Sequence, residues 1–151
     1  MEKYTIHLLL ICVLLLSCKQ EKADPTSARI EAFENLTEKT IETHDEVMAD
    51  MGTLMDLSMA IDEHLRKENV PKSTAAQLTE AKTQLDEAHA AMMDWMKDYS
   101  TKFPYEAKAP TTEEDLDEKM PILQESYEGI QAVKEQTYEA IAIAEQLLSD
   151  A

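Results

Sequence analysis

The chain has 151 residues, room for one domain and a short leader, and 31 acidic side chains against 14 basic ones, a net charge of −17. So acidic a chain does not bind nucleic acid by releasing counterions, and anionic headgroups repel it. Two glycines in the whole chain, and no run of alternating β-branched and aromatic residues, exclude a sheet and point to an all-α fold.

At the amino terminus, Glu2 and Lys3 precede nine apolar residues from Leu8 to Leu16. A mature membrane-spanning helix needs about 20, so the run suits the core of a cleaved signal segment instead. It ends Leu15-Leu16-Ser17-Cys18, which resembles the lipobox of bacterial lipoproteins: leucine first, a small residue third, cysteine last. The resemblance implies that residues 1–17 are a signal peptide cut off before Cys18. It also implies that the Cys18 thiol is diacylated, its new amine acylated, and the mature chain anchored in a lipid bilayer of the bacterial envelope. Cysteine usage agrees. Cys12 leaves with the leader and Cys18 carries lipid, so the remaining 134 residues hold neither a thiol nor a disulfide. Several acyl chains, each gaining about 0.8 kcal/mol per buried CH2, anchor far more firmly than one. Residues 18–26 then form the lipidated cysteine and a polar tether, in which Lys19-Gln20-Glu21 resembles the charged signal that directs Bacteroidetes lipoproteins to the cell surface.

The first helix is predicted to open near Ser27 as N-cap, with Glu31 in its first turn. Its apolar seam reads Phe33, Leu36, Thr40, His44, Val47, Met51, Leu54, Ser58, Ile61 and Leu65. The steps alternate mostly between three and four, as in a coiled coil. Pro71 ends it near Asn69. The second helix starts at Ser73 or Thr74, with a seam of Leu78, Ala81, Leu85, Ala88 or His89, Met92, Met96 and Tyr99, and stops before Phe103-Pro104. Residues 102–111 contain two prolines and no period, so they read as an extended connector. The third helix opens at Thr112 with Asp115 three residues on, a variant of the capping box. Its seam is Leu116, Met120, Leu123, Tyr127, Ile130, Lys134, Thr137, Ile141, Ala144 and Leu148, and Pro121 is expected to kink it or move its start.

Length fixes the topology. The first helix is roughly 60 Å long and the second roughly 40 Å. About ten extended residues cover the difference easily. The connector therefore runs back beside the first turns of the first helix, with Phe103 and Tyr105 packing towards Phe33 and Leu36. Residues 27–151 form an elongated up-down-up three-helix bundle with coiled-coil-like packing.

One face carries chemistry. His44, Met48, Met51 and Met55 fall at i, i+4, i+7 and i+11, and a looser copy follows in His89, Met92, Met93 and Met96. Counting out from the turn near Pro71 sets His44 against the 96–99 region, Met51 against Met92 and Met55 against His89. The parallel third helix brings Gly129 near His44, and Gly52 and Gly129 leave room for close helix approach or a ligand. Imidazole and thioether suit copper and need no thiol, so His44, Met48, Met51, Met55, His89, Met92 and Met96 are the candidate ligands. A Met–His pair also suits a haem iron, but the candidates crowd together where a porphyrin needs space. The same residues equally describe a core that uses methionine to fill irregular gaps. His64, beside Asp62 and Glu63, is a solvated residue suited to a helix C-terminus. Neither a nucleophile–base arrangement, nor a phosphate-cradling loop, nor a His-Glu-x-x-His helix occurs, so catalysis is not expected.

The segment from His44 to Leu57, with the lipobox before it and Met-Met-Asp-Trp-Met at 92–96 after it, resembles small Bacteroidetes envelope lipoproteins, some labelled viral A-type inclusion protein. The resemblance implies a location and a helical fold and no activity. The expectation is a membrane-anchored, non-catalytic binding or scaffold domain, with a periplasmic copper-binding protein as the alternative.

Overall fold

The computed structural model describes residues 24–150. The leader, Cys18 and residues 19–23 lie outside them, while residues 24–26, expected in the tether, are the cap and first two residues of the first helix. Three helices follow one another: α1 (Pro25–Leu65), α2 (Lys72–Lys102) and α3 (Glu113–Asp150). Each packs against both others, and the described residues contain no strand. This is the expected all-α three-helix bundle, about 60 Å along α1.

The seam of α1 is buried as its spacing requires. Phe33, Thr40, Val47, Leu54 and Ile61, each seven residues from the last, are all inside, with Met51 and Ser58 between them. The main core joins them to Leu78, Leu85 and Met92 of α2 and to Ile130, Ala140 and Ala144 of α3. A smaller cluster at the end where α1 starts holds Phe33, Leu116 and Leu123, and Phe103 packs against it. Each fully buried leucine or isoleucine contributes roughly 1.5–3 kcal/mol, more than any surface ion pair. Among the described residues the buried apolar core runs from Phe33 to Ala144, with Ile30 packed against one end and Leu147 and Leu148 against the other.

The structure corrects several boundaries. Asp24, not Ser27, caps α1: its carboxylate accepts from the Thr26 N–H at 3.2 Å, and Pro25 takes the first helical position, where its missing donor costs nothing. No acid stands in that first turn, so Glu31 lies beyond it. The helix ends at Leu65 rather than near Asn69, which instead has φ 67°, a left-handed turn conformation that asparagine tolerates. Pro71 itself caps α2, without a side-chain bond, in place of Ser73 or Thr74. Thr112 caps α3 as its spacing implies, with its hydroxyl accepting from the Asp115 N–H at 3.2 Å. Pro121 neither ends nor restarts α3, which runs through it.

The connector returns beside α1 only in part as expected. The Phe103 ring lies 6.4 Å from that of Phe33. Tyr105, by contrast, is fully exposed and packs on nothing. Pro104 breaks the helix and its carbonyl accepts from the Ala107 N–H, a turn that throws Tyr105 outward.

Candidate functional site

The His/Met face divides into three environments. Met51 and Met92 are core, 7% and 0% exposed. His44 and Met96 are half-buried. Met48 and Met55 are exposed, as is Met93. The seven candidate ligands therefore do not meet at one point.

His44 belongs to an aromatic ladder. Its ring lies 5.6 Å from Trp95, which stacks on Tyr99 at 4.9 Å, and Tyr99 meets Phe103 at 5.1 Å. Burial pushes the Tyr99 phenol above its ordinary pKa, because the charged form would lose its water. The Trp95 indole N–H donates to the Ser126 carbonyl of α3 at 2.9 Å. Gly129 is where α3 lets this ring in, since a Cβ there would stand 3.3 Å from Trp95 Cδ1. The sequence reading put Gly129 near His44; Trp95 is the ring between them. Gly52 is different. A Cβ at Gly52 would meet nothing within 4 Å, so it permits no close helix approach. The His44 ring also shares a 2.9 Å hydrogen bond through Nδ1 with exposed Asp45.

Met55 and His89 do share a site. Both line a cavity of about 420 Å³ between α1 and α2, together with Met59, Ser58, Asp62, Lys82 and Asp86. At its polar side the Lys82 ammonium donates to Ser58 Oγ at 2.9 Å and to Asp86 at 3.2 Å, while Ser58 donates to the same carboxylate at 3.0 Å. Asp62 stands 3.6 Å from the ammonium. The hydrogen bond to Asp86 raises the Lys82 pKa, against a smaller opposing desolvation, so the amine keeps its proton. The network ties α1 to α2 through Ser58, Lys82 and Asp86. Two carboxylates against one ammonium leave the cavity net negative.

Met59 is not among the candidate ligands that the His/Met spacing marks, although it sits one turn beyond Met55 on the same face. The Ser58–Lys82–Asp86 network was also missed, because its members are 24 and 28 residues apart on two helices. Among the described residues no group of three or more His, Cys, Asp or Glu side chains is arranged to hold a metal ion, so any metal here depends on thioethers. No described helix is long and apolar enough to cross a membrane. No protein-family model, curated protein or solved structure matches this chain.

Proposed function

We propose that this chain is a lipid-anchored protein of the bacterial envelope whose helical bundle is a non-catalytic binding or scaffold module. The observation that supports it best is the lipobox ending at Cys18, six residues before Asp24 caps the first helix of the bundle. In this reading the acyl groups on Cys18 supply the attachment, and the net charge of −17 keeps the body in water and off anionic headgroups. The test is Cys18→Ala expressed in a bacterium fed labelled fatty acid. The variant is expected to lose the label and to stay larger than the wild-type product on a gel. Labelling and processing that persist unchanged would reject lipidation at Cys18.

A second reading, copper binding, is favoured by the cavity that Met55, Met59 and His89 share. Neutral imidazole and thioether suit Cu(I), and the net negative lining suits a cation. Bound metal raises the melting temperature by the linkage RT ln(1 + [L]/Kd). Melts with and without Cu(I), buffered by a competing chelator, are expected to show a rise in wild type that Met55→Leu/Met59→Leu abolishes. Binding no tighter than micromolar would reject copper.

A further inference from the structure

The bundle's core explains Met51 and Met92. It does not explain Ile41, Met48, Met55 and Met59, which are 39%, 38%, 56% and 59% exposed. The steps between them are seven, seven and four residues, two turns, two turns and one, so they line up along one side of α1. The stripe runs about 27 Å, five helical turns. Gly52 lies within it and leaves open space over the backbone, since even a methyl there would touch nothing. Half-buried His89 of α2 lines the groove in which Met55 and Met59 lie. Scattered exposed apolar residues are ordinary, but four aligned on one side of a helix, two of them lining a groove, offer a face for a partner.

One flank of the stripe has a single sign. Glu34, Glu38, Glu42, Asp45, Asp56 and Glu63 are all exposed on the row beside it, and that row holds no lysine or arginine between Glu34 and Glu63. Methionine adapts its flexible side chain to varied apolar partners, and acidic flanks select a basic one. A second copy of this chain is a poor occupant, because both copies carry −17. We propose that the groove between α1 and α2 docks a cationic amphipathic helix, its apolar face on Met48, Met55 and Met59 and its basic side chains against the acidic row. This names the partner class for the binding module proposed above and depends on that reading. It does not depend on lipidation of Cys18.

The test uses the full chain with 13C-labelled methionine methyls, and a Leu/Lys peptide of about five turns with one apolar face. A peptide of the same composition, scrambled to abolish that face, is the control. Docking is expected to shift the Met48, Met55 and Met59 methyl signals and leave Met51 and Met92 in place. By fluorescence anisotropy, Met55→Gln/Met59→Gln should weaken binding by roughly a hundred-fold, the loss of two buried apolar side chains. Met55→Leu/Met59→Leu should bind like wild type, which separates docking from thioether–metal chemistry. Asp45→Asn/Asp56→Asn should weaken binding at low salt and little at high salt. These variants lie on the surface, so unchanged melting curves confirm that the fold is intact. Equal binding of the scrambled peptide, wild-type affinity in the glutamine variant, or no binding at all would overturn the proposal. Because acylation is read separately by Cys18→Ala, failure here leaves the anchoring result standing.

Discussion

Gly52 and Gly129 both sit inside helices, where glycine costs about 1 kcal/mol relative to alanine, and one methyl group distinguishes them. Gly52→Ala adds a Cβ to open space, so it is expected to raise stability by about 1 kcal/mol. Gly129→Ala brings a Cβ to 3.3 Å from an indole that cannot give way. Trp95 is held by its bond to the Ser126 carbonyl, by Tyr99 on one side and by His44 on the other. The gain in helix propensity is therefore offset by overpacking, which typically costs about 1–3 kcal/mol, and Gly129→Ala should be neutral to destabilising. Thermal melts of the two single variants test the pair. A stabilising Gly129→Ala would mean that Trp95 relaxes without loss. This contrast was not readable in the sequence, where the two glycines look alike. The run Met92-Met93-Asp94-Trp95-Met96 puts apolar side chains at nearly every angle of its helix, so no period singles out Trp95. What selects it is the backbone of α3, which supplies the acceptor and the gap.

The helices themselves were far more readable than their contents. Every residue of the α1 seam is buried or half-buried, because α1 turns a single stripe inward and a single stripe leaves a clean period. In α3 the seam was too narrow. It omitted Ser126, Val133 and Ala140, all buried, because serine and alanine carry too little apolar signal to mark the edge of a buried face that an alternation of three and four does not cover. The ends were misread where two capping residues compete, as with Asp24-Pro25 against Ser27, and where an aromatic beside a proline looked like core, as with Tyr105. Pro121 gives an element-scale prediction. It is the ninth residue of α3, past the turn where its missing N–H is harmless, so the Asp117 carbonyl loses its helical donor. The helix continues regardless because Leu116 and Leu123, both 0% exposed, hold each side of it in the core. Pro121 itself is exposed, so Pro121→Ala removes no packing. It should stabilise the bundle, by roughly 1–3 kcal/mol, with part of proline's interior penalty already relieved by local backbone adjustment. Denaturant melts measure it, and a destabilised variant would show that the proline rigidity is needed where it stands.

At the scale of the whole molecule, few cations are available to so acidic a chain, and several of them bridge helices. Arg29 of α1 joins Glu113 and Asp117 of α3, and Lys134 of α3 joins Glu46 of α1. Lys82 of α2 reaches Asp62 of α1, and Lys102 of α2 reaches Glu125 of α3. Every pair of helices is thus tied by at least one base. These pairs are partly exposed, and each contributes little at neutral pH. Their effect becomes visible when the bases titrate together. Lys82, Lys102 and Lys134 are raised above the ordinary 10.5, first by hydrogen bonds to Asp86, Asp98 and Glu46 respectively, and Tyr99 is raised above 10.0 by burial. All four groups hold their protons more tightly folded than unfolded. As pH passes about 10 the unfolded chain releases protons first, and stability falls with pH wherever the folded state binds more of them. Below 10.0 the contribution of these groups is fully present, and it is lost as pH rises through the folded-state values. Loss of lysine charge also leaves more acid–acid repulsion, which adds in the same direction. The melting temperature is therefore expected to show no decline from these groups between pH 7 and pH 10, then to fall as they lose their protons. Lys82→Met/Lys102→Met, which removes two of the four groups, should start lower and fall less. Circular dichroism melts across that range are the measurement, and a wild-type decline already complete below pH 10, or a double variant with the same alkaline slope, would assign the loss to other groups.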